Sequence, residues 1–511
     1  MSDLANRTIK NSIYSFGGFL WVLLLSFFSL PILIRHLGAE QYGIYITINV
    51  VLGLFALMEL GFSYLLNKKL SEDFYNKDVG ELSDLFSVTF WFYLLVGLLA
   101  GLTVALLGSF VPSFFHLSGV TAQSSWQLST LAGAILFLQI AVMPLSQIPA
   151  ASQRFDILTK INLINLTILQ LSMVLMVLFG FGIRSLLFVQ MISAILLFLT
   201  YIIVWKKFAP RLLLLWNSNF KLVFIEAFKN GLPFFLCNAM FNILSQFDKY
   251  VLGIFWGPSA VSFYSSAQML PNKIQNVSLS LSPVFFPVFS NADYLRQKEK
   301  LADIFRRGIK FIIYITSGLV TVVLLYGWEL LRYWLGPEFA LNASFSIRIL
   351  AVCYFFLAIY SFVYYFLGGI RRPKFAFYSV TLMAAIDMTM MFVLIPRYGL
   401  NGASVAYLIS VIPIIGYIFY IENNIFGEKF ISIFKNYSKI ATKIVFVNFL
   451  VGVVGYFWFT KFISGLWSTL LIGGITYFIF LMGYWMLGCV EKSDRELIKN
   501  YFILQFKKII I

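Results

Sequence analysis

The sequence predicts an all-α integral membrane protein of about fourteen transmembrane helices: two pseudo-symmetric six-helix bundles around a central cavity, plus two C-terminal helices. Apolar residues make up 60 % of the 511 and charged residues only 12 %, with a mean hydropathy of +0.86. That is more apolar surface than one water-soluble core can hide. Runs of about 20 apolar residues, enough to cross a hydrocarbon layer of roughly 30 Å, recur along the whole chain. The breaks between them are short, and Lys and Arg collect in alternate ones.

Taken in order, the first dozen residues are polar, with Asn6, Arg7, Lys10 and Asn11. The run that follows, over about 13–34, is too long for a signal-peptide core and has no small-residue cleavage site, so a retained first span is expected. Further runs at about 44–66, 85–110, 128–150, 157–180 and 185–205 complete a first half, 1–206. Residues 207–230 form a basic cytoplasmic linker. A second half, 231–422, holds runs at about 231–254, 259–289, 309–331, 345–367, 376–395 and 402–421. Two additional spans, about 441–460 and 467–487, fall within 423–490, and 491–511 is expected to be a cytoplasmic tail.

Charge gives an independent test of this layout. Of the 38 Lys and Arg, 30 lie in the termini and loops of one side, 7 lie in the loops of the other, and Lys273 lies inside a span. The positive-inside rule therefore places both termini and the basic loops in the cytoplasm. The net charge of +16 is accounted for by topology and some attraction to anionic lipid heads, and nucleic acid is not expected as a partner. No loop exceeds about 25 residues and no Gly-rich loop ends in Lys-Ser or Lys-Thr, which argues against a nucleotide-binding domain. Cys237, Cys353 and Cys489 are widely spaced in apolar runs, and His36 and His116 are far apart, so no disulfide framework, metal or other cofactor is expected.

The chain also repeats itself. Lys10-Asn11 recurs as Lys229-Asn230, Gly38 as Gly257 and Tyr45 as Tyr264 at an offset of 219, while Arg154, Gly182 and Ser193 recur as Arg371, Gly399 and Ser410 at an offset of 217. An even number of spans per half gives both halves the same orientation, related by an axis along the membrane normal.

Four stretches carry a family resemblance. They are Leu37-Gly38-Ala39-Glu40-Gln41-Tyr42-Gly43-Ile44-Tyr45; Glu59-Leu60-Gly61-Phe62; Asp248 with Gly257 and Tyr264-Ser265-Ser266-Ala267; and the segment from Ile395-Pro396-Arg397 to Ala403-Ser404. With the fourteen-span layout, the chain resembles the multidrug/oligosaccharidyl-lipid/polysaccharide exporter superfamily, and within it the Wzx-type polysaccharide-repeat-unit flippases. It departs from their pattern at Glu59, where Asp is common, and at Asp387, where Asn is usual. The resemblance implies a bacterial inner-membrane protein that moves an undecaprenyl-diphosphate-linked oligosaccharide from the cytoplasmic to the periplasmic leaflet for O-antigen or capsule assembly. The resemblance also implies membrane lipids and other polysaccharide-assembly proteins as partners, and a monomer is expected.

Such a head group needs a polar, cationic cavity, because an unpartnered diphosphate cannot be buried. Lys273, about 14 residues into the eighth run, is too deep to reach the interface, and a charge at that depth costs roughly 2.5–3.5 kcal/mol unless it meets water or a partner. Gln268, Asn272 and Gln275 share its helix, and Arg154 and Arg371 lie at corresponding cytoplasmic ends of spans four and ten; these six are the candidate substrate-binding residues. The alternative for Lys273 is a structural ion pair with Asp387 or Glu59. Those two carboxylates are in turn candidates for coupling to a proton or sodium gradient. Asp248 and Lys249, at the periplasmic end of span seven, are expected near water as a gate-forming or interfacial pair. Asn49, Asn165 and Gln190 offer hydrogen bonds either to sugars or between helices. Export of another lipid-linked precursor or of a drug is the alternative within the superfamily. A polytopic glycosyltransferase or polymerase is the alternative outside it, disfavoured because no acidic or His-rich cluster and no long outer loop appears.

Overall fold

The computed structural model describes residues 2–55, 62–73, 79–107, 125–152, 154–214, 220–291, 298–370 and 372–486. Among them every regular element is helical. In chain order these are α1 (Ser2–Phe55), α2 (Phe62–Asp73), α3 (Val79–Leu106), α4 (Ser125–Ala151), α5 (Phe155–Leu178) and α6 (Ile183–Phe208). The 72-residue α7 (Phe220–Asn291) follows, then α8 (Lys298–Trp334), α9 (Pro337–Gly369), α10 (Pro373–Val411), α11 (Pro413–Tyr420), α12 (Phe430–Val454) and α13 (Leu466–Met486).

Ten helices among the described residues are long and apolar enough to cross a membrane, against the fourteen runs expected. The difference lies in three bent helices: two of them count once for two runs each, and α7 is not among the ten. One counted span, Lys374–Ile425, covers the two runs expected at 376–395 and 402–421 and bends at Gly399. Helix α1 bends at Gly38 between the first two expected runs, and α7, which holds the seventh and eighth, bends at Gly257. At 1.5 Å per residue, 54 straight residues would extend about 80 Å, far beyond the hydrocarbon layer, so a bend is required.

The bends share one backbone device. Gly38 (φ 78°) and Gly257 (φ 77°) are 219 residues apart, and so are Gly180 (φ 82°) and Gly399 (φ 56°). Side-chain-bearing residues avoid this left-handed region, so glycine is selected at each. Gly182, which the sequence comparison aligned with Gly399, has instead an ordinary φ of −86° and precedes α6 as its N-cap. The repeat is thus written in backbone conformation at one offset.

The chain forms two compact units, Met1–Ser265 with Asp387–Ala403 and Ser266–Ile386 with Ser404–Ile511. Lipid tails are as apolar as leucine, so helices inside a membrane are held together by close backbone approach and hydrogen bonds rather than by the hydrophobic effect. In the first unit α4 is the most buried spanning helix and α5 the least. A methyl on Gly101 of α3 would lie 2.6 Å from the Gly133 carbonyl oxygen of α4, the close approach that the Gly97-to-Gly101 spacing implies. Phe62, Phe92 and Phe224 form an aromatic cluster in the same unit, Phe62 and Phe92 stacked with centroids 4.7 Å apart and Phe224 meeting Phe92 edge-on.

In the second unit α9 is the most buried spanning helix. Phe289, Phe305, Phe362, Phe366 and Phe426 make an aromatic knot, and the Phe362 ring leaves no room for a methyl at Gly308. Helix α13 is fastened to α8 by hydrogen bonds, Tyr484 to Ser317 at 2.9 Å and Tyr326 to Thr476 at 3.1 Å.

Candidate functional site

Beyond Gly257 the second half of α7 has two distinct faces. Ala267, Pro271, Ile274, Ser278 and Ser282 recur at intervals of three and four and are all buried. The opposite face carries Asn272, Lys273 and Asn276, all partly open, and Ser280, which is exposed. Sequence polarity runs most of the way round this helix; burial singles out which side is open. Gln268 is buried, and the Gln275 amide donates to the Ser361 hydroxyl of α9 at 3.2 Å, so both are drawn into helix packing. Lys273 and Asn272 thus lie on the open face, while Gln268 and Gln275, foreseen beside them as cavity residues, lie off it.

Arg154 stands at the N-terminus of α5, half exposed, in a two-point contact with Asp156: Nε to Oδ1 at 3.0 Å and Nη2 to Oδ2 at 3.1 Å. That contact raises the guanidinium further above its ordinary range. Arg371 and Glu59 lie outside the described residues, as does His116. Asp387 is fully buried on α10. Among the described residues no three His, Cys, Asp or Glu side chains gather as a metal site requires.

Asp248 and Lys249 are buried, not near water as their place at a run's end suggested. The Lys249 backbone N–H donates to Asp248 Oδ1 at 2.8 Å, and its Nζ donates to Gln246 Oε1 at 2.7 Å and the Ser245 carbonyl at 3.3 Å. The residues that follow them make a tight junction within the first unit. The Tyr250 hydroxyl donates to the Val50 carbonyl of α1. A methyl on Gly43 would overlap the Pro258 carbonyl, so α1 and α7 meet backbone to backbone just past their Gly38 and Gly257 bends. Trp256 donates from Nε1 to the Ile395 carbonyl at 2.8 Å, and its ring lies against Gly399. The corresponding bend of α1 meets the α5–α6 turn where Gln41 approaches Gly182.

Several foreseen polar residues bridge helices. Gln190 donates to Asn49 at 2.7 Å and Ser193 to Asn165 at 2.9 Å. A charged cluster was not foreseen at all. Arg306 of α8 holds Glu422 and Glu428, with Tyr437 of α12 donating to Glu422 at 3.0 Å. Residues 116 positions apart leave no local signal.

Comparison with known proteins completes the picture. A profile described as "Polysaccharide biosynthesis protein" matches residues 32–342. The protein named "Putative O-antigen transporter" from Shigella flexneri is 20 % identical over 413 residues, covering 79 % of this chain and 95 % of its own length. A solved lipid II flippase, MurJ in an inward closed conformation, superposes with a TM-score of 0.69 at 18 % identity, covering 94 % of this chain and 99 % of its own. An inward-facing multidrug resistance transporter of the MATE family in the MOP superfamily gives 0.66 at 14 % identity, covering 78 % and 92 %. At such identities these two establish the fold.

Proposed function

The chain belongs to the polysaccharide biosynthesis protein family, and from that premise we propose that it is a flippase for an undecaprenyl-diphosphate-linked oligosaccharide repeat unit. It is a multi-pass membrane transporter rather than an enzyme. In this proposal it carries the unit from the cytoplasmic to the periplasmic leaflet by alternating access, for O-antigen or capsule assembly, in a bacterial inner membrane with both termini cytoplasmic. In this proposal twelve of fourteen crossings form two six-helix halves, 1–206 and 231–422, around a central cavity, and the remaining two, within 423–490, stand outside the repeat.

The observation that carries the proposal is the open face of α7. Lysine, two asparagines and a serine on one side of a helix in an apolar chain would be poorly solvated by acyl tails, so that face is expected to line water. Lys273 then supplies positive charge to the diphosphate, and Asn272 and Asn276 supply hydrogen bonds to sugars. Gln275, bonded to Ser361, and buried Gln268 position the helix. Arg154 and Arg371 meet the head group at the cytoplasmic mouth. Asp387 and Glu59 are the carboxylates through which a proton or sodium gradient would act. Asp248 and Lys249, next in sequence to the Tyr250 that bonds the Val50 carbonyl of α1, belong to the periplasmic gate.

The test is complementation of a strain lacking its own repeat-unit flippase. Restored surface polysaccharide with unchanged drug sensitivity is expected. Drug resistance without surface polysaccharide would overturn the proposal in favour of drug export.

A further inference from the structure

Between α8 and α12, in the second unit, lies a cavity of about 450 Å³ whose wall is charged. Five cations and three carboxylates line it. The carboxylates are engaged within the protein: Arg306 holds Glu422 at 2.6 Å and Glu428 at 3.0 Å, and Arg307 holds Asp303 at 2.9 Å. The remaining lining cations are Lys310 on α8 and Lys439 and Lys443 one helical turn apart on α12. The wall therefore carries a net surplus of two positive charges.

A second cavity, about 640 Å³, continues from the first, since Tyr437 and Ile440 line both. Its wall is almost wholly apolar, built from side chains such as Leu324, Phe355, Phe356, Ile415 and Phe449 on α8, α9, α11 and α12. Both volumes fall in the range of about 300–1,000 Å³ typical of ligand sites. A cationic chamber at helix ends opening into an apolar groove matches one chemistry: a phosphate-bearing head joined to a hydrocarbon chain. The chamber lies at the end of α8 that follows the basic stretch 290–310, the side whose membrane surface attracts anions.

We propose that this pair of cavities is a binding site for a resident anionic phospholipid, its phosphate against Lys310, Lys439 and Lys443 and one acyl chain in the groove. The occupant is a phospholipid because the wall's surplus of positive charge suits a phosphate head and the adjoining apolar groove suits one acyl chain. The lipid fills the wedge between α12 and the bundle, joining the C-terminal helix pair to α8. This inference does not depend on the transported substrate.

The test is native mass spectrometry of the full-length purified protein titrated with phosphatidylglycerol or phosphatidylethanolamine, the melting temperature reporting folding of every variant. One tightly retained phosphatidylglycerol is expected, preferred over phosphatidylethanolamine by at least tenfold. The Lys439→Ala/Lys443→Ala variant is expected to lose about fivefold per lysine, abolishing the preference. Ala441→Trp, which fills the groove from an exposed position, is expected to release both lipids alike. Millimolar inorganic phosphate is expected not to displace phosphatidylglycerol. Equal retention of both lipids by the native chain, or an undiminished preference in the lysine variant, would overturn the proposal. Displacement by inorganic phosphate alone, or by stoichiometric undecaprenyl diphosphate, would also overturn it, assigning the site to a free anion or to the carrier lipid.

Discussion

Arg306 clasps the buried carboxylate of Glu422: Nη2 lies 2.6 Å from Oε2, and Nε lies 3.0 Å from both carboxylate oxygens. The Glu422 side chain is 0 % exposed and that of Arg306 34 %, so the carboxylate depends on this partner while the guanidinium still touches solvent. Tyr437 adds a third donor from α12, tying the first of the two C-terminal spanning helices to the bundle.

Removing one member of such a pair strands the other. Arg306→Ala is expected to cost about 3–5 kcal/mol, read as a fall in melting temperature in detergent. The double variant Arg306→Met/Glu422→Leu is expected to recover most of that loss, because the fully buried charge is gone and Glu428, 34 % exposed, still reaches solvent. An unchanged melting temperature in the single variant would mean that Glu422 finds its solvation elsewhere.

The junction of α1 and α7 makes a sharper steric statement. Gly43→Ala places a methyl inside the Pro258 carbonyl and is expected to cost about 1–3 kcal/mol, since backbone cannot step aside as a side chain can. Gly53→Ala on the same helix meets nothing within 4 Å and is the control, expected to be neutral or stabilising by up to about 1 kcal/mol. Equal melting temperatures for the two variants would show that the junction is not close-packed.

Arg154 offers the contrasting case. Its pairing with Asp156 is well formed but half exposed, and exposed pairs are worth about 0–1 kcal/mol. Arg154→Ala is therefore expected to leave the melting temperature within a degree or two, so any loss of transport in that variant reports on the head group's entry. A large drop in stability would instead assign the arginine a structural role.

These contrasts mark what the sequence could and could not disclose. The all-helical membrane fold was legible because lipid imposes a length on every apolar run, though ten spans and not fourteen are counted among the described residues, and Gly38 and Gly257 were legible as a pair because a bend needing positive φ selects glycine at both places. Gly182 was misleading for the converse reason: an identical residue carries no record of its conformation, and Gly180 is the one that turns. The open side of α7 was hidden because its polar residues occur on most of its circumference, and only neighbouring helices decide which are covered. Asp248 and Lys249 looked wet because they stand at the end of a run, yet helix packing buries them. The Arg306–Glu422 pair joins residues 116 apart, and nothing local foretells such a meeting.

Lys273 on the open face of α7 bears the central claim, and transport itself tests it most directly. The measurement is the rate at which a fluorescent undecaprenyl-diphosphate-linked oligosaccharide crosses the bilayer of proteoliposomes containing the purified chain. The native protein is expected to move it, Lys273→Arg to keep part of the rate, and Lys273→Ala to lose tenfold or more while melting at the native temperature. Undiminished crossing in well-folded Lys273→Ala would contradict the account.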